Sequence, residues 1–169
     1  MDNPLSAVVA KKDGAIESAA PGDLVSDAVE KMHTKGVGAL PVVEGDRLVG
    51  IFTERDALYR VIHGKLAPAS TPVSEVMTKD PDYVAPDMSV IDAMRMINEK
   101  RFRHLPLVED GKLVGLVSSG DLTRWVVDEQ KAEIDSLGQN MRSLASKNKA
   151  LIALVGVFAV LIVVGILTT

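Results

Sequence analysis

Apolar residues fall into short, recurring patterns along most of this chain and into one unbroken run at its end. Leu24, Val25, Ala28 and Met32 lie three and four apart, as do Val90, Ala93, Met94 and Ile97. That spacing puts one apolar stripe on a helix, so each segment predicts an amphipathic helix. Ser89 with Asp92 supplies a capping pattern at the start of the second. After each helix come two brief β-type runs, Ala39 to Val43 with Leu48 to Phe52, then His104 to Val108 with Leu113 to Val117. The links, Glu44-Gly45-Asp46-Arg47 and Glu109-Asp110-Gly111-Lys112, are polar and turn-forming, which predicts hairpins. A further helix is expected from Thr53 and from Ser118, and a short strand near Ala15–Ser18 and near Asp82–Val84.

These elements form a repeat. One fixed offset aligns Pro21 with Pro86, Asp27-Ala28 with Asp92-Ala93, Leu40-Pro41 with Leu105-Pro106, Leu48-Val49-Gly50 with Leu113-Val114-Gly115, and Asp56 with Asp121, without a gap. Each copy reads β-α-β-β-α. One copy alone leaves a sheet face uncovered, so two should pack about a pseudo-twofold axis. The expected divisions are a first repeat over 6–63, a linker over 64–75, a second repeat over 76–128 and a helical stalk over 129–149. In the stalk Ile134, Leu137, Met141, Leu144, Asn148 and Leu151 alternate three and four apart, a heptad seam. The seam suits a parallel two-helix stalk, and a single amphipathic helix folded on the repeats is the other arrangement it allows.

From Ala150 to Leu167 every residue is apolar or glycine. About twenty helical residues cover about 30 Å, the hydrocarbon thickness of a bilayer. The reading is a transmembrane helix over 150–168 in contact with membrane lipid. Arg142, Lys147 and Lys149 precede it, which predicts a single-pass, C-terminally anchored protein whose repeats face the cytosol. The N-terminus has no basic and apolar export signal.

Composition narrows the chemistry. A net charge of −4 and few aromatics, 4%, argue against nucleic acid as a partner. There is no cysteine, and His33, His63 and His104 lie far apart in sequence, without metal-ligand spacing. No nucleophile elbow, phosphate-cradling glycine loop or paired-carboxylate motif is present, so no catalytic residue and no catalytic cofactor are assigned. The expectation is a protein that is not an enzyme.

What remains is a hydroxyl and an acid at each second helix. Thr53 and Ser118 stand where a strand gives way to a helix, beside unsatisfied backbone N–H groups that favour an anionic phosphate. Asp56 and Asp121 follow within the first turn, and a carboxylate there can accept hydrogen bonds from two ribose hydroxyls. An ordinary helix cap would use the same residues.

Gly50-Ile51-Phe52-Thr53-Glu54-Arg55-Asp56 and Gly115-Leu116-Val117-Ser118-Ser119-Gly120-Asp121 resemble the closing motif of the cystathionine β-synthase (CBS) domain, and their pairing resembles a Bateman module. Glu75-Val76-Met77-Thr78 and Arg103-His104-Leu105-Pro106 add to the likeness. The resemblance, over about residues 6 to 130, implies tandem CBS repeats of α/β (α+β) class that dimerise. It implies an adenine-nucleotide ligand between the repeats: AMP, ADP or ATP, with S-adenosylmethionine or NADH as further ligands. By that analogy Arg103 and His104 would reach a phosphate in the groove of Ser118 and Asp121. The matching residues of the first copy, Gly38 and Ala39, are uncharged, so one groove would be phosphate-competent and the other altered unless Arg55 compensates. Thr78 would serve the other copy's groove, and Val37 with Gly38 would line a groove. The function implied is a regulatory sensor signalling to a protein partner, against a ligand-independent membrane adaptor.

Overall fold

The computed structural model describes the chain from Asn3 to Leu167 apart from Asp13, with side chains described up to Lys149. One compact unit extends to Thr123, and the rest of the last helix forms a second. The elements are helix α1 (Leu5–Ala10), helix α2 (Val25–Lys35), strands β1 (Ala39–Glu44) and β2 (Arg47–Thr53), one helical turn α3 (Glu54–Asp56) continued by a π-helical stretch (Ala57–Ile62), helix α4 (Val73–Val76), strand β3 (Thr78–Lys79), helix α5 (Val90–Lys100), strands β4 (His104–Glu109) and β5 (Lys112–Ser118), and helix α6 (Ser119–Leu167).

The repeat is reproduced down to its irregularities. β1 pairs with β2 and β4 with β5, both antiparallel, and each ladder shifts register at the same place, Val42/Val43 and Leu107/Val108. The short strand expected ahead of each amphipathic helix is reduced to one parallel bridge, Ala19 with Val42 and Val84 with Leu107. Both amphipathic helices end on a left-handed residue, Gly36 at φ 64° and Arg101 at φ 57°. Ser89 caps α5 by accepting from the Asp92 N–H at 3.1 Å. The two hairpins meet where the Leu113 N–H donates to the Asp46 carbonyl at 2.9 Å.

The linker boundary does not coincide with a break in packing. Val73, Val76 and Met77 are buried in the core of the first repeat, beside Val25, Met32, Leu40 and Phe52. β3 extends the first sheet by pairing with β2. Conversely, the N-terminal segment holds the second repeat: the Leu5 and Ser6 N–H groups donate to the Met88 and Pro86 carbonyls, both at 2.9 Å. The same two bonds recur in the first repeat, from Val73 to Asp23 and from Ser74 to Pro21. Pro4-Leu5-Ser6 and Pro72-Val73-Ser74 are therefore one motif used twice, each copy belonging to the sheet it reaches. In both places the motif's tail lies over a glycine of the sheet. A Cβ on Gly50 would sit 2.3 Å from the Met77 sulfur, and one on Gly115 would sit 2.9 Å from Val9.

α6 is continuous through Gly138, and the seam residues Ile134, Leu137, Met141 and Leu144 are all more than half exposed. The transmembrane expectation is not carried by the described residues: among them no helix is long and apolar enough to cross a membrane. Residues 150–167 continue α6 as backbone, but the side chains on which that expectation rests lie outside the described residues, as do Thr168 and Thr169.

Candidate functional site

A groove between the repeats opens beside the Thr53 turn. Its cavity of about 340 Å³ lies within the range of small-molecule sites. Three separate stretches supply its polar groups: Thr53, Glu54, Arg55, Asp56 and Arg60 around α3, Thr78 from β3, and Arg103 with His104 at the start of β4. Ile51, Pro81, Phe102 and Pro106 add apolar wall, and Gly38 and Asp82 complete it.

β2 ends at Thr53 because the chain turns into a helix there, and the cap is reciprocal. The Thr53 hydroxyl accepts from the Asp56 N–H at 3.2 Å, and Asp56 Oδ2 accepts from the Thr53 N–H at 3.0 Å and from its hydroxyl at 2.7 Å. This capping box presents both side chains at the mouth of a helix turn. The second carboxylate oxygen, Oδ1, faces Arg60 Nε at 3.3 Å. Arg60 is itself fastened, donating to the Val76 and Met77 carbonyls at 2.9 and 2.6 Å and to the Thr78 hydroxyl at 3.2 Å. It thereby pins the β3 segment, and Thr78 with it, against the groove.

Arg103 and His104 line the cavity of Thr53 and Asp56, and His104 also feels the charge of Asp121. His104 pairs with Ser118 across its own hairpin. Its ring nevertheless reaches the first repeat: a Cβ on Gly38 would lie 3.5 Å from His104 Cε1 and 3.2 Å from the Glu54 carboxylate. A side chain there would have to push the Glu54 carboxylate aside and would meet the His104 ring. Burial holds the His104 imidazole below its ordinary value; Glu54 and Asp121 oppose the shift, and Lys12 and Arg103 reinforce it. The ring is thus biased toward its neutral form, in a wall where Arg55, Arg60 and Arg103 stand among Glu54, Asp56 and Asp82.

The pseudosymmetric turn repeats the cap. The Ser118 N–H and hydroxyl both donate to Asp121 Oδ2 at 2.8 Å, and the Asp121 N–H returns a bond to Ser118 at 3.1 Å. The same oxygen also receives the Lys12 ammonium at 2.8 Å. Burial would raise the Asp121 carboxyl, but hydrogen bonds from Lys12 and Ser118 outweigh it and hold the group below the usual carboxylate value. Neither Ser118 nor Asp121 lines the 340 Å³ cavity.

Of the residues singled out from sequence, Thr53, Arg55, Asp56, Thr78, Arg103, His104 and Gly38 come together, while Ser118 and Asp121 stand apart. Val37 is partly buried against the first repeat's core and does not line the cavity. Sequence reasoning missed Glu54, Arg60 and Lys12. Arg60 had a signal, since it stands four residues after Asp56 on a helix face. Among the described residues no cluster of His, Asp and Glu could hold a metal ion.

Comparison with known proteins agrees with the duplicated architecture. The CBS domain profile matches twice, over residues 13–63 and 73–128. The chain is 40% identical over 120 residues to the mitochondrial CBS domain-containing protein CBSX3 of Arabidopsis thaliana, matching 68% of this chain and 58% of that protein. The chain therefore spans little more than half the length of that relative. A solved CBS-domain protein from Burkholderia ambifaria MC40-6 is 38% identical with a TM-score of 0.72, covering 76% of this chain and 96% of that one. The structure of CBSX2 in complex with AMP superposes with a TM-score of 0.64 at 26% identity, covering 74% and 97% of the two chains.

Proposed function

Since this chain belongs to the CBS-domain family, with two copies of the domain in tandem, we propose that it is a non-catalytic regulatory protein that binds an adenine nucleotide in the Thr53–Asp56 groove. The observation that carries this reading is the convergence of Thr53, Asp56, Thr78, Arg55, Arg103 and His104 on one cavity. The α3 turn and the Thr53 hydroxyl suit a phosphate, helped by Arg103 and His104. Asp56 takes the ribose hydroxyls, and Ile51, Phe102 and Pro106 offer a dry wall to the base. The AMP complex of CBSX2 supports an adenosine ligand of this class. ADP, ATP, S-adenosylmethionine and NADH are the alternatives to test beside AMP.

Binding would signal by favouring one packing of the two repeats over another, which requires different affinity for the two arrangements. The exposed seam of α6 suits a homodimeric stalk that passes this change to a protein partner, and the run 150–168 suits a tether that leaves the repeats in the cytosol. Retention of the full chain in carbonate-washed membranes, and its release on truncation after Lys149, is the expected result for the tether.

A ligand-independent adaptor is favoured by one observation: in both repeats the aspartate is bonded into its own helix cap. A nucleotide panel in a thermal shift assay separates the readings. A ligand at 100 times its Kd adds about 2.7 kcal/mol to the native state. A rise in Tm with at least one adenine nucleotide, lost in Asp56→Ala, is expected; no rise with any of the panel leaves the adaptor.

A further inference from the structure

We propose that Lys12 fills the second groove from within, so that the chain takes one nucleotide and not two. The inference rests on the nucleotide reading of the first groove only for its count of ligands.

The two grooves receive the same leader motif in different form. Pro72-Val73-Ser74 delivers Thr78 to the first groove, where Arg60 fastens it. Pro4-Leu5-Ser6 delivers Lys12 to the second. The residue matching Lys12 in the first leader is Asp80, whose N–H is bonded to the Val49 carbonyl at 3.3 Å. Only the second leader therefore places a cation on the groove's acid. Lys12 Nζ lies 2.8 Å from Asp121 Oδ2 and 3.0 Å from the Leu116 carbonyl. With the two Ser118 bonds, three donors converge on that one oxygen. A ribose hydroxyl seeking the same acceptor has to displace an ammonium from a charge-assisted bond.

The two crossing positions bring no cation to this groove. Arg103 and His104 cross from the second repeat into the first groove, but the matching residues, Gly38 and Ala39, have no side chain able to make the reverse crossing. Arg60 counters Asp56 through the other oxygen, from within its own helix, and leaves the cavity open. Lys12 neutralises Asp121 through Oδ2, the oxygen that Ser118 also holds, so a ligand hydroxyl directed at that oxygen meets an ammonium already on it. The charge that could have met a phosphate is spent on the acid.

The test is a calorimetric titration of AMP into the full chain and into Lys12→Met, which keeps most of the stem, with Lys12→Gln as a second variant. One equivalent per chain is expected for the parent, and a second, weaker event for the variants that survives Asp56→Ala. Two equivalents in the parent, or one in parent and variants alike, overturns the proposal. Carboxyl-carbon NMR of Asp121 decides the contact without any nucleotide. Its titration should move to higher pH in Lys12→Met, and an unchanged titration means that Lys12 does not occupy the groove. Should the parent take up no AMP at all, the first-groove reading fails and the Asp121 titration alone decides Lys12.

Discussion

The two grooves of this protein share a cap, a strand end and a leader motif, and differ in what crosses the pseudo-twofold axis. Into the first groove come Arg103 and His104, cationic or ionisable groups from the other repeat, with an open cavity before them. Toward the second, the matching positions offer Gly38 and Ala39, and a lysine from the leader has settled on the acid. The lesson is that duplication copies the backbone frame, while a few side chains projecting across the axis make the two grooves differ. The Thr/Ser-x-x-Asp motif marks a helix start in both repeats.

The comparison is broken most forcefully at the acids. Asp56→Ala is expected to weaken adenine-nucleotide binding about 10- to 100-fold, the worth of one hydrogen-bonded charged partner. Asp121→Ala should leave first-groove affinity within about twofold, because Asp121 lies outside that cavity. Both variants lose a capping box, so each should fall in stability by about 1–2 kcal/mol in urea denaturation. Equal loss of binding in the two would erase the distinction between the grooves.

Filling the crossing point comes next. Gly38→Val puts a branched side chain where even a Cβ lies 3.2 Å from Glu54 and 3.5 Å from His104. Affinity for AMP should drop about tenfold, consistent with about 1–3 kcal/mol for overpacking a close contact. The drop should show in calorimetry with the circular dichroism spectrum unchanged.

His104 sharpens the comparison through pH. Its folded-state value is depressed, mainly by burial, so below the ordinary value of 6.5 the unfolded chain holds more protons than the folded one. Stability is then full above about pH 6.5 and declines as pH falls from there toward the folded-state value. A phosphate beside the ring favours the imidazolium, so AMP affinity should rise over the same descent. His104→Gln should flatten both trends, read from urea midpoints and calorimetry between pH 7.5 and about 5.5.

The smallest effect lies away from the grooves. The amphipathic helices end on equivalent left-handed residues, glycine in one repeat and Arg101 in the other. Arg101→Gly removes a left-handed penalty of about 1–2 kcal/mol against a glycine entropy cost of about 0.5–1. A gain of about 0.5–1 kcal/mol in the denaturation midpoint is expected, with AMP affinity unchanged.

Much of this was legible before any coordinates. The fixed offset, the hairpin links and the three-four spacing locate the repeats, because burying one face leaves a periodic mark. Thr53 and Asp56 could be placed at one helix start because strand ends and helix starts carry their own residue signature, while Thr78 was placed beside them only by the family resemblance. Two things were hidden. That Arg103 and His104 line the first groove was not visible, since position along β4 says nothing of which way a side chain leaves a sheet edge. Lys12 escaped because its leader repeats at a different offset from the rest, Pro4 against Pro72 instead of Pro21 against Pro86, so a single-offset comparison passes over it. Burial, which makes the first-groove histidine titrate low, is likewise a property of the packed pair and of neither repeat alone.

The most direct measurement is the imidazole NMR spectrum of His104 in the full chain while AMP is added at pH 7. The account predicts that the ring signals move with saturation toward the protonated form, together with the amides of Thr53, Asp56 and Thr78, and that none of this occurs in Asp56→Ala. Movement confined to Ser118 and Asp121, with His104 and Thr53 unmoved, would contradict it.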